Sequence, residues 1–255
     1  MRPWLFISDL HLSPQRPQII ELFDAFCQEV AEGVERLYIL GDFLEYWIGD
    51  DDEVAGLETA FSALSRLSQQ GTGIFFMAGN RDFLVGERLA QHIGFTLLHE
   101  PHVIRYADTD ILLLHGDSLC VDDVDYQQFR DQVRNPAWQR AFLDKSLDER
   151  RAIAQSMRET SRQATAAKQE YIMDVNQQAV EQTMRQHATT VLIHGHTHRP
   201  AVHRFQLDKQ PAQRVVLPDW YHKGGYLLLS DPGDFTLTPY PEQSASIAMN
   251  GYHPA

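Results

Sequence analysis

The sequence predicts an α/β fold that carries an inserted helical segment, and three observations lead there. Short apolar runs rich in β-branched, Leu and aromatic residues recur along the first half, as buried strands do. Amphipathic stretches separate the first of these runs, so strand and helix alternate. Between residues 126 and 187 the texture changes to long helix-compatible stretches, after which strand-like runs resume.

A first strand is expected over 4–7, followed by a loop containing Pro14 and Pro17. A helix over 19–30 is expected next, with Ile19, Leu22, Phe23, Phe26, Cys27 and Val30 on one apolar face. Strands over 37–40 and 74–78 flank a second amphipathic stretch at 57–67. A short helical piece at 89–93 and a strand at 111–114 follow. The helical segment is broken at Asn135-Pro136 and restarts at Ser146, where Glu149 three residues on makes a capping box. Further strands are expected at 191–193, 215–217, 226–230 and 235–237, punctuated by Asp219, Gly224-Gly225 and Pro232-Gly233. The division is a core of 1–125 and 188–240, a helical lid of 126–187 and a polar C-terminal tail of 241–255.

At 255 residues the chain is long enough for one large domain or for a domain with a substantial insertion. A formal charge of -13 argues against a general nucleic-acid binder, which needs a clustered Lys/Arg surface. Charge is unevenly spread. The segment 126–187 holds 10 Lys/Arg and 8 Asp/Glu, against 12 and 27 in the remainder. Only Cys27 and Cys120 occur, with no paired spacing, so neither a disulfide framework nor a zinc ribbon is expected. Cys27 reads as a small buried hydrophobe. With no basic N-terminal region followed by a long apolar segment, and no run of 18 apolar residues, the expectation is a cytoplasmic protein.

Five apolar runs end abruptly in metal-ligand residues. These endings are Ser8-Asp9-Leu10-His11, Gly41-Asp42, Gly79-Asn80-Arg81-Asp82, His115-Gly116-Asp117 and His194-Gly195-His196-Thr197-His198. The repetition points to one dinuclear site at a sheet edge. Carboxylate oxygen and imidazole nitrogen suit first-row divalent ions such as Mn2+, Fe2+ or Zn2+. Two ions need a bridging carboxylate, and Asp42, after Gly41 where the chain can turn sharply, is the candidate. The run Asp50-Asp51-Asp52 is expected to be a solvated acidic loop. His194 is expected to support the strand end without acting as a ligand.

Taken in order and in context, these motifs resemble the calcineurin-like metallophosphoesterase family over most of the chain outside the insertion. That resemblance implies a β-sandwich flanked by helices in α/β/β/α layers. It implies one ion on Asp9, His11, Asp42 and His198, and a second on Asp42, Asn80, His115 and His196, with Mn2+ as the expected metal. It also implies catalytic roles for Asp42, Asn80, Arg81 and His196, with water as the nucleophile. Many relatives have His where this chain has Arg81. Arginine donates no proton near neutral pH but can clamp phosphate oxygens, which favours a leaving group that needs little protonation. Pairing of Arg81 with Asp82 is a compatible structural alternative.

Longer stretches at 7–12, 41–51, 79–83 and 194–200 resemble the branch of that family that hydrolyses UDP-2,3-diacylglucosamine in lipid A biosynthesis. The branch also carries a helical lid after the position matching His115. The resemblance implies water attack at the α-phosphorus to give UMP and 2,3-diacylglucosamine 1-phosphate. It further implies peripheral contact with the cytoplasmic face of the inner membrane; no obligate protein partner is evident. Substrate contacts are implied for Asn80, Arg81, Asp123, Ser161, Thr165, Lys168 and His196, with Tyr126 and Arg158 as weaker candidates. Thr165 departs from a frequent Asn. Arg158, Ser161, Thr165 and Lys168 share a helix face, which is also what a solvated face looks like. Trp138, Phe142, Leu143, Leu147, Ile153 and Met157 are expected mainly to pack, with an acyl-chain groove as the alternative. Two competing functions stand beside this one: a hydrolase of soluble nucleotides, and a non-catalytic metal-binding scaffold.

Overall fold

The computed structural model describes residues 2–167, 174–230, 233 and 235–241, with side chains described for all of these except 161–167. The first half alternates as β1 (Trp4–Ile7), α1 (Pro17–Glu29), β2 (Arg36–Leu40), α2 (Glu58–Gln69), β3 (Gly73–Met77), α3 (Glu87–Ile93) and β4 (Phe95–Leu98). Next come β5 (His102–Tyr106), β6 (Thr109–Leu113) and a 3-10 turn at Asp117–Leu119. Four helices follow: α4 (Val124–Arg134), α5 (Pro136–Leu143), α6 (Leu147–Ala167) and α7 (Gln177–Gln186). The chain then forms β7 (Val191–His194), β8 (Ala201–Leu207), β9 (Gln210–Val216), β10 (Gly224–Leu229) and β11 (Leu237–Tyr240).

These strands make two sheets, in the orders β11-β10-β1-β2-β3-β4 and β5-β6-β7-β9-β8. In the first sheet β1 to β4 are mutually parallel, with Ile7 opposite Ile39 and Ile39 opposite Phe76. In the second, β6, β7 and β9 are parallel. Parallel pairing brings the C-terminal ends of β1, β2 and β3 to one edge, and those of β6 and β7 to one edge of the other sheet. Every ligand motif read from the sequence follows one of these five strands.

Side-chain alternation with a period of two sets the layers. Leu5, Ile7, Leu37, Ile39, Ile74 and Phe76 pack with Ile19, Phe23 and Phe26 of α1 and Ala60, Leu64 and Leu67 of α2. Their neighbours Trp4, Phe6, Tyr38, Leu40 and Met77 face Ile104, Ile111, Leu113, Ile193 and Val215 of the second sheet. On the outer side of that sheet Leu112, Leu114 and Leu192 pack with Val180 and Met184 of α7. The order of layers is therefore α/β/β/α, as the family resemblance implied. Although the sequence division placed α7 in the inserted segment, its apolar face forms the fourth layer here.

Three strands were not expected from the sequence. β5 and β8 are the edges of the second sheet, and their exposed residues, such as Arg105, His203, Arg204 and Gln206, dilute the apolar signal. β4, the edge of the first sheet, is only four residues long. The restart of the helical segment is as expected. Ser146 Oγ donates to Glu149 Oε2 at 2.7 Å and accepts from Glu149 N at 3.4 Å, a reciprocal cap.

Phe6, fully buried between the sheets and stacked on Tyr38 at 4.8 Å, tests the sandwich. Phe6→Ala is expected to lower the unfolding free energy by about 3–5 kcal/mol in urea denaturation; a loss below about 1 kcal/mol would contradict the packing described.

Candidate metal centre

Five of the expected ligands have left-handed backbone: Asp9 (φ 55°), His11 (50°), Asp42 (51°), His196 (68°) and His198 (54°). Asp and His tolerate this region better than most residues, but each such position costs about 1–3 kcal/mol. The strand ends thus turn sharply where the donors are placed. Neighbouring glycines make room for the turns. A Cβ on Gly41, at φ 87°, would meet the His115 ring and the Gly79 backbone. One on Gly195 would strike the Asp9 carboxylate and Ser8 Oγ.

Hydrogen bonds fasten the turns to one another. Asp9 N donates to Gly41 O at 3.1 Å and His11 N to Asp42 O at 2.9 Å. Within the second sheet Gly195 N donates to His115 O at 2.8 Å, and across the sheets His196 N donates to Asp9 Oδ2 at 2.9 Å. Arg81 N donates to Asp42 Oδ1 at 2.8 Å.

The expected ligands converge. Asp9 Oδ1 lies 3.3 Å from His198 Nε2, His11 Nε2 lies 3.8 Å from Asp42 Oδ2, and His115 Nε2 lies 3.7 Å from Asp42 Oδ1. Asn80 Oδ1 sits 3.0 Å from His115 Nε2 and 2.9 Å from His196 Nδ1. Two sets of donor atoms, Asp9 with His11 and His198, and Asp9 with Asp42 and His115, each fall within 4.8 Å of one another. The first set lies within the ion site expected on Asp9, His11, Asp42 and His198. The second brings Asp9 beside two donors of the other site. Asn80 joins that side through its contacts with His115 and His196.

Divalent cations suit this arrangement. Asp9 Oδ1 and both ring nitrogens of His11 are buried and lack hydrogen-bond partners, a costly state that a cation at Asp9 Oδ1 and His11 Nε2 would relieve. Burial pushes the Asp9 carboxyl up, yet His198, His115 and His11 hold it below the ordinary carboxylate value. His115 Nδ1 donates to Leu40 O at 2.9 Å, which leaves Nε2 facing the acceptor Asn80 Oδ1. Burial opposes a charge on His115, but Asp42, Asp117, Asp9 and Glu100 raise it to about 9. A position that draws a proton so strongly is one that a metal ion satisfies. Burial and the neighbouring His115 lower His196 to about 4, keeping it in the neutral form a ligand needs.

His194 stands outside the donor set. Its Nδ1 donates to Gly195 O at 2.8 Å, and its Nε2 accepts from Arg214 Nη1 at 3.1 Å. Burial and Arg214 lower it to about 3.

Several residues support the centre in ways the sequence reading did not expect. Asp82, fully buried, accepts from the backbone N–H groups of Gly79 and Phe43 at 2.8 Å, Leu44 at 3.2 Å and Asp42 at 3.3 Å. It ties the Asp42 turn to the Asn80 turn, and burial with the Asp42 charge raises it to about 6. Asp82 therefore does not pair with Arg81, whose charge acts instead on Glu45. Asp117, fully buried, accepts from Tyr126 Oη at 2.7 Å and Arg130 Nε at 2.9 Å. Arg130 also donates to Glu100, and Glu100 accepts from His115 N at 2.9 Å. Arg134 donates to the carbonyls of Ala78 and Gly79 at 3.2 and 2.9 Å. Thus α4 is bolted to the centre, with the Tyr126 ring stacked 6.1 Å from that of His196. Asp82 and Asp117 each stood in a ligand motif, but their partners become visible only once the chain is folded.

The acidic run is not a solvated loop. Asp50 accepts from Trp47 Nε1, Gly86 N and Leu89 N, while Asp51 pairs with Arg150 and Asp52 with Arg151. Arg150 also donates to Ile48 O at 2.8 Å, so the run fastens α6 to the core. Trp138, Phe142, Leu147 and Ile153 pack against the helical side of the first sheet, as expected, whereas Leu143 is exposed. Asp123 caps α4 by accepting from Tyr126 N at 3.1 Å. The side chains of Ser161 and Thr165, and Lys168 as a whole, lie outside the described residues.

Such a sandwich with an Asp/His/Asn centre at its strand ends is that of a metallophosphoesterase. The profile of the calcineurin-like phosphoesterase family matches residues 3–200, and the chain belongs to that family. It is 48% identical over 223 residues to a UDP-2,3-diacylglucosamine hydrolase of Aromatoleum aromaticum, covering 88% of this chain and 91% of that relative. A UDP-2,3-diacylglucosamine hydrolase of Stenotrophomonas maltophilia is 45% identical over 240 residues, covering 91% and 96%. One of Aeromonas hydrophila is 46% identical over 234 residues, with the same coverage.

Gly195→Ala tests the close approach of the two sheets. The added methyl displaces the Asp9 carboxylate, so Mn2+ affinity measured by calorimetry is expected to fall about 10-fold or more. Unchanged affinity would contradict the contact between the Gly195 turn and Asp9.

Proposed function

We propose that this chain is a metal-dependent hydrolase that cleaves the pyrophosphate of UDP-2,3-diacylglucosamine to UMP and 2,3-diacylglucosamine 1-phosphate. One observation carries the reading: the seven converged donors lie beside an arginine, Arg81, in a chain 45–48% identical to hydrolases of that substrate. Asp9, His11, Asp42 and His198 would hold one divalent ion, and Asp42, Asn80, His115 and His196 the other. When bound, the two ions, Mn2+ in this proposal, supply Lewis acidity and make water a better nucleophile.

The chain's own groups do the rest. Arg81 is near enough to Glu45 to lower its carboxyl yet is in no ion pair given for the described residues, and its guanidinium clamps the phosphate oxygens and offsets charge as the anhydride breaks. It donates no proton, which fits departure of a phosphate monoester, a leaving group stable as an anion. Asn80 and His196 orient the attacked α-phosphate. Asp123, Ser161, Thr165 and Lys168 contact the remainder of the substrate, and α4 to α6 cover it. Salt bridges from Arg150 and Arg151 to Asp51 and Asp52 hold that cover on the core.

The lipid product places the enzyme at the cytoplasmic face of the inner membrane. Among the described residues no helix is long and apolar enough to cross a membrane, so contact is peripheral in this proposal. Val121 and Val124, exposed just before and at the start of α4, offer apolar surface near Tyr126.

Metal-dependent UMP release from UDP-2,3-diacylglucosamine in ¹⁸O-water tests the reaction. Label is expected in UMP, as attack at the α-phosphorus requires; label in the lipid phosphate would overturn that step. Faster turnover of a soluble nucleotide in the same detergent would overturn the substrate. Asp42→Ala is expected to abolish turnover, and Arg81→Ala to lower kcat by about 10²–10³-fold with both ions still bound. Near wild-type kcat in either variant would contradict its assignment.

A further inference from the structure

Glu45 stands between the metal centre and α6. Its Oε2 lies 3.2 Å from His11 Nδ1, and its Oε1 accepts from Arg158 Nη2 at 3.0 Å. The guanidinium of Arg158, on α6, also lies over the Tyr46 ring at 5.0 Å. The backbone of Glu45 is pinned as well, since its N donates to Leu12 O at 3.0 Å and Leu12 bridges to Leu44. Glu45 is thus fixed beside the segment that carries His11.

His11 is almost fully buried, and its ring is stacked on Tyr221 at 5.3 Å, so it cannot swing to find another partner. Glu45 is the carboxylate at one ring nitrogen, at 3.2 Å but not aligned as a hydrogen bond, and the Asp42 carboxylate lies 3.8 Å from the other, so a small turn of the Glu45 carboxylate closes the Nδ1–H contact. A neutral imidazole carries one proton, and the nitrogen that keeps it is decided by what the other one meets. A carboxylate at Nδ1 holds the proton there and frees the Nε2 lone pair for a cation.

We propose that Glu45 is a positioning residue that keeps the His11 proton on Nδ1, and that Arg158, gripping the same carboxylate, couples the seating of α6 to filling of that ion site. The inference rests on the assignment of His11 as a ligand. The sequence reading considered Arg158 only as a weak substrate contact or part of a solvated face. Its pairing with Glu45 gives it a second consequence: an event that lifts α6 removes a cation from Glu45 and alters the partner of a metal ligand.

Mn2+ titration of the full chain, with free ion read by electron paramagnetic resonance, tests this without recourse to turnover. Glu45→Gln keeps the shape of the side chain and removes its charge; it is expected to weaken one of the two ions about 10–100-fold. Arg158→Met, on the exposed side of the pair, is expected to weaken the same ion about 2–5-fold. Its effect should vanish in the Glu45→Gln background, because both act through one carboxylate. Wild-type affinity in both single variants would overturn the proposal, and an Arg158→Met effect that persists without the Glu45 charge would overturn the coupling. His11→Ala separates the two levels. If it leaves both ions bound as before, the ligand assignment fails; if it loses one ion while Glu45→Gln loses none, only the role of Glu45 fails.

Discussion

The centre is built around groups that have no stable arrangement without positive charge. Two carboxylates, Asp9 and Asp42, are buried with His11 and His115, and Asn80 Oδ1 is set against His115 and His196 at 3.0 and 2.9 Å. Removing such groups from water costs free energy that only cations and hydrogen bonds return. Left-handed backbone at five of the expected ligand positions adds to that cost, and the surrounding fold must hold it in place. The supporting interactions answer this demand. Asp82 collects four backbone N–H groups of two ligand turns, and Glu100 fixes His115 through its N–H. Metal bound at these donors would stabilise the fold, because the same buried groups left without a cation cost free energy at the sheet edge.

The inserted helices belong to the same electrostatic system. α4 is held by Arg130 and Arg134 through Asp117, Glu100 and the Ala78 and Gly79 carbonyls. α6 is held by three arginines on Asp51, Asp52 and Glu45. An acidic core thus receives a cationic segment by ion pairs that vary in burial. Exposed pairs are weak individually, so the seating of α6 depends on its apolar contacts through Leu147, Ile153 and Ala154 as much as on charge.

Much of this was legible along the chain. Strands that end in metal-ligand residues have a local signature, since a buried strand must be apolar and a ligand must follow it directly; β1, β2, β3, β6 and β7 show both. The family resemblance then supplied the layer order, which apolar periodicity alone does not determine. What stayed hidden has physical causes. β5 and β8 are edge strands with one wet side, so their pattern is diluted. The partner of Asp51 lies 99 residues away in Arg150, so a run of three acids looked solvated when it is a fastening. Glu45 had no distinguishing spacing, and the motif position of Asp82 did not reveal its role, because both act on groups brought near only by the sheets. α7 was grouped with its helical neighbours because periodicity reveals an apolar face but not what that face covers.

Anomalous diffraction at the manganese edge, from crystals of the full chain grown with Mn2+, tests the central claim most directly. Two peaks are expected, one within bonding distance of Asp9, His11 and His198 and the other of Asn80, His115 and His196, with Asp42 touching both. A single peak, or peaks away from these side chains, would contradict the account.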